Sequence, residues 1–344
     1  MSFYEPYYTP LTGRSGADVL SEEMNTAEPG RLFGEFWREG ELAVLCGAEG
    51  AGKSILALQI ADSISKGKPI EGFALDTEAQ PVMYLDLSTP DRVFYKRYTA
   101  EGMGGHNFSD TFHRTFMYKL FYDYNRFKSE FAKSLADEVK CRQIKVLVIN
   151  CLESIKNLAG ENFIIPLVKR LQTLYGVSVL LVSGIRQGTE GKKLTLGSMA
   201  NKRLAGVADS VFALGKSNKE DDLRYLVQLK SGAGKIVYSG ENTAIFKITK
   251  PSNFLGFELV GFEEEYGHMA EKLSELEKSI LNLQYNNTEL SYGNIANMLG
   301  TNKMKVKRTL AKHRNRMKRA PVANGANGAN GNVPDAGEEI DLDE

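Results

Sequence analysis

The chain has 344 residues, 42% hydrophobic and 25% charged, with 43 basic and 43 acidic side chains. This is ordinary globular composition and a length for about two domains. The zero net charge gives no chain-wide attraction to polyanions, no apolar run approaches the ~18 residues of a membrane helix, and no basic-then-apolar secretory signal opens the sequence. Cys46, Cys141 and Cys151 match no zinc spacing and no disulfide framework, so a reducing cytoplasm is the expected location.

Residues 1–30 are polar, spotted with aromatics and weakly patterned, and read as an N-terminal arm. ELAVLC, from Glu41, is a buried strand, followed by a helix from Ser54 to Lys66 that stops at Gly67. PVMYLDL (81–87) and TFMYKLF (115–121) are the next two expected strands. A helix over Arg126–Arg142 leads into a strand at KVLVIN (145–150), and a helix over Phe163–Tyr175 leads into VSVLLVS (177–183). Strands alternating with helices predict a mostly parallel central sheet covered on both faces. RYLVQLK, KIVYS and AIFKI, between 224 and 248, read as short antiparallel additions. After Phe262 three short helices are expected, over Glu271–Leu283, Tyr292–Leu299 and Lys303–Arg314. The repeat ANGANGANGN cannot bury a core and is expected to be disordered. The expected domains are the arm 1–30, an α/β core 31–262, a helical module 263–320 and an acidic tail 321–344.

Between the first strand and helix lies GAEGAGKS, residues 47–54. Glycines at 47, 50 and 52 let the backbone turn tightly and aim its N–H groups inward, as a phosphate cradle requires. Lys53 supplies a cation, Ser54 a hydroxyl for Mg²⁺, and the helix start its positive dipole end. The expected nucleotide-binding residues are Gly47, Ala48, Glu49, Gly50, Ala51, Gly52, Lys53, Ser54 and Ile55, with ATP and Mg²⁺ as cofactors.

The stretch GELAVLCGAEGAGKSILALQIADSISKG resembles the RecA-like ATPases, and within them the plasmid RepA-type hexameric helicases. Glu49 resembles a glutamate that many RecA loops carry. The resemblance continues through PVMYLDLSTPDRVFYKR, IKVLVINCLESI, VSVLLVSGIRQG and GSMANKRLAGVADSVFAL, covering Leu32 to Lys250. It implies a RecA-like P-loop core, assembly into a homo-oligomer such as a hexameric ring, and work on DNA in replication, mobilisation or maintenance of a mobile element.

Four positions depart from that pattern. The strand at 145–150 should end in a metal-binding aspartate, and ends in Asn150; the metal set becomes Ser54 and Asn150. The water-activating glutamate falls on Ser88, a poor base, with Asp86 as its neighbour on the strand and Glu153 as a further substitute. The polar sensor falls on Ser183 or Gly184. The Lys-x-Arg pair that reaches a neighbouring subunit's nucleotide is Lys230-Ser231-Gly232, so the lysine stays and the arginine is gone. Lys53, Asp86, Ser88, Asn150 and Lys230 are therefore the residues on which catalysis turns. A missing finger forfeits about 10³–10⁵ in rate and a missing base about 10²–10⁴, so binding is favoured over rapid hydrolysis.

The loop Gln187–Ser198 occupies the place of the RecA channel loop, where Lys192 and Lys193 can meet DNA phosphate or simply face solvent. ELSYGNIANMLGTNKMKVKRTLAKHRNRM resembles a winged-helix or helix-turn-helix DNA reader. Ile295, Ala296 and Leu299 pack its second helix. Met304, Val306 or Thr309 and Leu310 give the third helix an apolar face, and Gly300 makes the turn. Lys303, Lys305, Lys307, Arg308, Lys312 and Arg314 fan across the cationic side that a groove requires. The acidic tail is either solubilising, a cover for the basic helix, or a site for a basic protein partner.

Overall fold

The computed structural model describes residues 13–24, 26–117, 124–160, 163–269, 274–286 and 290–317, with side chains except at 124, 125, 156–159, 285, 286 and 312–317. The chain divides into two units, Met1–Glu271 and Lys272–Glu344. No helix among the described residues is long and apolar enough to cross a membrane.

The first unit is built on a nine-stranded sheet. Its strands are β1 (Leu42–Gly47), β2 (Val82–Asp86), β3 (Phe112–Thr115), β4 (Val146–Asn150), β5 (Ser178–Gly184), β6 (Ser210–Lys216), β7 (Leu223–Lys230), β8 (Thr243–Thr249) and β9 (Gly256–Glu263). Their order across the sheet is β9-β8-β7-β6-β1-β5-β4-β2-β3. The run from β6 to β3 is parallel, and β7, β8 and β9 add antiparallel strands at one side. This is the mostly parallel α/β core expected from the sequence.

The helices of this unit are α1 (Gly16–Glu23), α2 (Lys53–Lys66), α3 (Asp91–Arg97), α4 (Tyr124–Cys141), α5 (Leu152–Ala159), α6 (Ile164–Tyr175) and α7 (Lys202–Val207). Every residue of β1 and β4 is buried, because helices cover both faces of the sheet, and this is why the strands read as unbroken apolar runs. On one face Val44, Met83, Leu147 and Leu181 pack with Leu135 and Val139 of α4 and Leu167 and Leu171 of α6. On the other, Leu45, Val148 and Leu180 pack with Leu56, Ile60 and Ile64 of α2 and with Phe33, Phe36 and Trp37. Gly67 and Gly176 end α2 and α6 in the left-handed conformation, φ 60° and 64°, as their positions after the last apolar residues predict. Helix α1, inside the expected arm, buries no residue.

Two strands fall elsewhere than the sequence predicts. The third strand is Phe112–Thr115, not 115–121, and residues 118–121 lie outside the described residues. At the sheet edge β3 pairs only with β2 and is only half-buried, so it carries no apolar run to find. KIVYS (235–239) forms no strand. Instead the Gln228 side-chain oxygen accepts from the Val237 and Tyr238 amides, each at 2.9 Å, while the ladder partner of β7 is β8. Strand β9 was not expected, because its exposed half reads as polar loop.

The second unit contains α8 (Glu275–Asn286), α9 (Tyr292–Met298) and α10 (Lys303–Met317). Ile280, Ile295, Ala296, Val306 and Leu310 form its buried centre. Ser291 caps α9 by accepting from the Asn294 amide at 3.2 Å, Gly300 makes the turn at φ 61°, and Asn302 caps α10 through the Lys305 amide at 2.8 Å. Helix, turn and helix are thus locally specified. Thr309 joins Val306 and Leu310 in burial, whereas Met304, expected on the apolar face, is 57% exposed. No strand occurs among the described residues of this unit, so the three helices stand there without a wing. The expected tail, 321–344, lies outside the described residues.

Candidate functional site

At the carboxyl ends of the parallel strands β1 leads through residues 48–52 into α2. The close approach of β6 dictates the first glycine: a Cβ on Gly47 would lie 2.4 Å from the Leu214 carbonyl oxygen. Gly50 and Gly52 adopt φ 69° and 100°, conformations that L side chains rarely adopt. Gly52 gives α2 no side-chain cap, so the first turn keeps its N–H groups directed at the loop, which is the physical basis of anion binding at a helix start. The Lys53 ammonium folds back onto the loop and donates to the carbonyls of Gly47 at 2.9 Å and Ala48 at 2.8 Å. Burial pulls its pKa below the usual lysine range, opposed first by the charge of Glu153.

Beside the loop a chain of polar contacts crosses β4, β2 and β3. The Ser54 hydroxyl donates to the Asn150 amide oxygen at 2.9 Å. The Asn150 amide nitrogen donates to Asp86 Oδ1 at 3.4 Å and to Ser88 Oγ at 3.2 Å. Asp86 also accepts from the Thr89 amide at 3.0 Å and from Arg114 Nε at 3.1 Å. Arg114 binds Asp91 at 2.6 Å and lies over the Phe94 ring at 4.4 Å from its centroid. Burial alone would lower the Arg114 pKa, but the bonds to Asp91 and Asp86 outweigh it and leave it raised. Asn150 is wholly buried and Asp86 is 4% exposed.

Residues 16–186 match the family described as AAA domain. The core is a mixed α/β unit with a large, mostly parallel central sheet, matching the RecA-like P-loop fold. Solved structures similar to the chain include the KaiC-like protein PH0186 of Pyrococcus horikoshii OT3, at 18% identity and TM-score 0.44, covering 64% of this chain and 90% of that one. The flagellar accessory protein FlaH of Methanocaldococcus jannaschii is similar at 13% identity and TM-score 0.43, covering 71% and 97%. No curated protein matches the chain.

Of the residues singled out in the sequence, Lys53, Ser54, Asp86, Ser88 and Asn150 converge beside the P-loop. The available oxygens suit Mg²⁺, because the Ser54 hydroxyl and the Asn150 amide oxygen are hard donors. Among the described residues no three His, Cys, Asp or Glu side chains gather at one point, so a metal here would draw its remaining oxygens from phosphate and water. Asp86 is a poor base as it stands, since both its oxygens already accept hydrogen bonds. Glu153 is also engaged: its Oε1 accepts from the Gly184 amide at 2.5 Å and the Ser183 hydroxyl at 3.3 Å.

Lys230 stands apart within the chain. It ends the antiparallel β7 and pairs with Val211 near the start of β6, at the end of the sheet opposite the P-loop. Its ammonium binds the carbonyls of Ala205 and Ala208 at the end of α7. Two positions later, a Cβ on Gly232 would meet the Glu41 carboxylate, so an arginine at the position where the resemblance places one would require the Glu41 side chain to move. Lys192 and Lys193 are exposed on their loop. In the second unit Lys303, Lys305, Lys307 and Arg308 are exposed on α10, while the side chains of Lys312 and Arg314 lie outside the described residues. Arg114 has no signal in the sequence, since nothing in a lone arginine on an edge strand marks it.

Proposed function

We propose that this chain is a RecA-like, DNA-associated ATPase that binds MgATP at the P-loop and turns it over slowly, using the nucleotide chiefly to set conformation or assembly. Asn150 carries this reading. An amide stands between the P-loop serine and Asp86, the only buried carboxylate nearby among the described residues, so binding groups are in place while the groups that would activate water are absent or occupied. The exposed cations on α10 support docking of the second unit on duplex DNA, where a helix-turn-helix lays its second helix in the major groove. The resemblance to RepA-type helicases supports a ring of identical subunits acting on a mobile element, and a basic partner suits the acidic tail.

A fluorescent-analogue titration beside a phosphate-release assay, each with and without duplex DNA, tests the core. Saturable binding is expected with turnover below about 1 s⁻¹, the low end of ordinary enzymes. Strong DNA-stimulated turnover identifies a motor instead, and failure to bind nucleotide removes the reading of the P-loop. For the second unit, replacing Lys303, Lys305, Lys307 and Arg308 together with alanine makes the log–log salt slope of duplex binding less steep by about 3 to 4, at roughly 0.9 per phosphate. An unchanged slope would show that α10 does not face the duplex.

A further inference from the structure

Strands β6 and β7, next to the P-loop strand, bring two cations to it that no motif marks. Leu214 of β6 is in register with Gly47, so Lys216, two residues on, overhangs the loop. Its ammonium lies 3.4 Å, and its Cε 3.8 Å, from where a Cβ on Gly50 would stand. Lys216 is exposed, and no hydrogen bond or ion pair joins its ammonium to a described residue. Its register partner on β7 is Arg224, only 8% exposed. Arg224 donates Nε to the Ala51 carbonyl at 2.8 Å and Nη1 to the carbonyls of Asp221 and Leu223 at 2.7 Å each. No carboxylate of a described residue hydrogen-bonds this guanidinium, and burial lowers its pKa against the weaker pull of Asp222 and Asp221.

A buried cation satisfied only by carbonyl dipoles is incompletely compensated, and an anion in the adjoining loop would improve its surroundings. Lys53 reaches the loop from the helix side and Lys216 from the strand side, so the two ammonium groups flank it. We propose that Lys216 is a further nucleotide-binding residue, contacting the terminal phosphate of a bound nucleoside triphosphate from within the same chain. This rests on the P-loop being the nucleotide site. It assigns to β6 a cation that Lys230 and Gly232 do not deliver to this loop in the same subunit.

The test is equilibrium titration of the full chain with MgATP and MgADP, for the natural protein, Lys216→Ala and Lys216→Glu. Lys216→Ala weakens MgATP by about tenfold, the size of one charge-assisted bond, and MgADP by less than about twofold. Lys216→Glu weakens MgATP further, and both variants keep the natural melting temperature because the side chain is exposed. Natural affinity for both nucleotides in Lys216→Ala, or an equal loss for both, overturns the inference while leaving the P-loop reading intact. Failure of the natural protein to bind either nucleotide overturns both.

Discussion

Lys53→Ala lowers the affinity for MgATP by about 100-fold and leaves the melting temperature of the first unit unchanged. The ammonium makes two charged hydrogen bonds to the loop, at 2.9 and 2.8 Å, and a bound triphosphate would replace those carbonyls with oxygens of full negative charge. Two such bonds at roughly 1.5 kcal/mol each correspond to about two decades in Kd. The depressed lysine pKa, caused first by burial, shows that the site already costs the charge some hydration, which an anion would offset. The carbonyls that lose their donor belong to the buried Gly47 and Ala48, and folding is spared because water can fill the space that the lysine side chain vacates and take its place as donor. The check is a titration with a fluorescent ATP analogue beside a thermal melt. Undiminished affinity in a variant that melts normally would mean that the loop does not grip a triphosphate through this lysine.

The sequence made the P-loop legible because each of its parts has a local cause. An apolar strand, glycines where the backbone adopts positive φ, and a lysine and serine opening an amphipathic helix are all contiguous. The second unit was legible for the same reason: Ser291, Gly300 and Asn302 are local caps and turns, and Ile295, Val306 and Leu310 follow helical spacing. What stayed hidden depends on strand order. Nothing in the chain says that β3 lies beside β2, so the bond from Arg114 to Asp86 had no sequence signal. The placement of Lys216 over Gly50 likewise requires β6 to lie beside β1, a pairing of strands more than a hundred residues apart. Met304 was misjudged because period alone does not fix which of two adjacent stripes faces inward, and Thr309 takes the buried place.

Gly232 illustrates how packing can decide a catalytic inventory. The residue stands where the resemblance calls for an arginine, and the Glu41 carboxylate lies where the first atom of a side chain there would enter. Glu41 is itself held by the Ser210 hydroxyl at 2.9 Å and the Arg38 amide at 3.0 Å, and burial raises its pKa. An arginine introduced at 232 would therefore require the Glu41 carboxylate to shift, at the risk of its bonds to Ser210 and Arg38.

Asn150→Asp tests the other half of the inventory, and its effect depends on the metal. The Ser54 bond survives, since a carboxylate accepts as an amide oxygen does. The donation from Asn150 to Asp86 at 3.4 Å and to Ser88 at 3.2 Å is lost, and two carboxylates then face each other in a buried place, with Arg114 bound to Asp86. Without divalent cation the variant is expected to be less stable by about 2–3 kcal/mol, a fall of roughly 5 °C or more in Tm. Mg²⁺ with ATP offsets the repulsion, so the nucleotide-dependent rise in Tm is larger in the variant than in the natural protein, by linkage. Parallel melts in EDTA and in Mg²⁺ with a nonhydrolysable analogue read this directly. If the two proteins respond alike to Mg²⁺ and nucleotide, residue 150 does not face the metal, and the proposed slow turnover would need another cause. If the variant gains stability from Mg²⁺ but not speed in phosphate release, the metal ligand is restored and the missing base at Ser88 is what limits the chemistry.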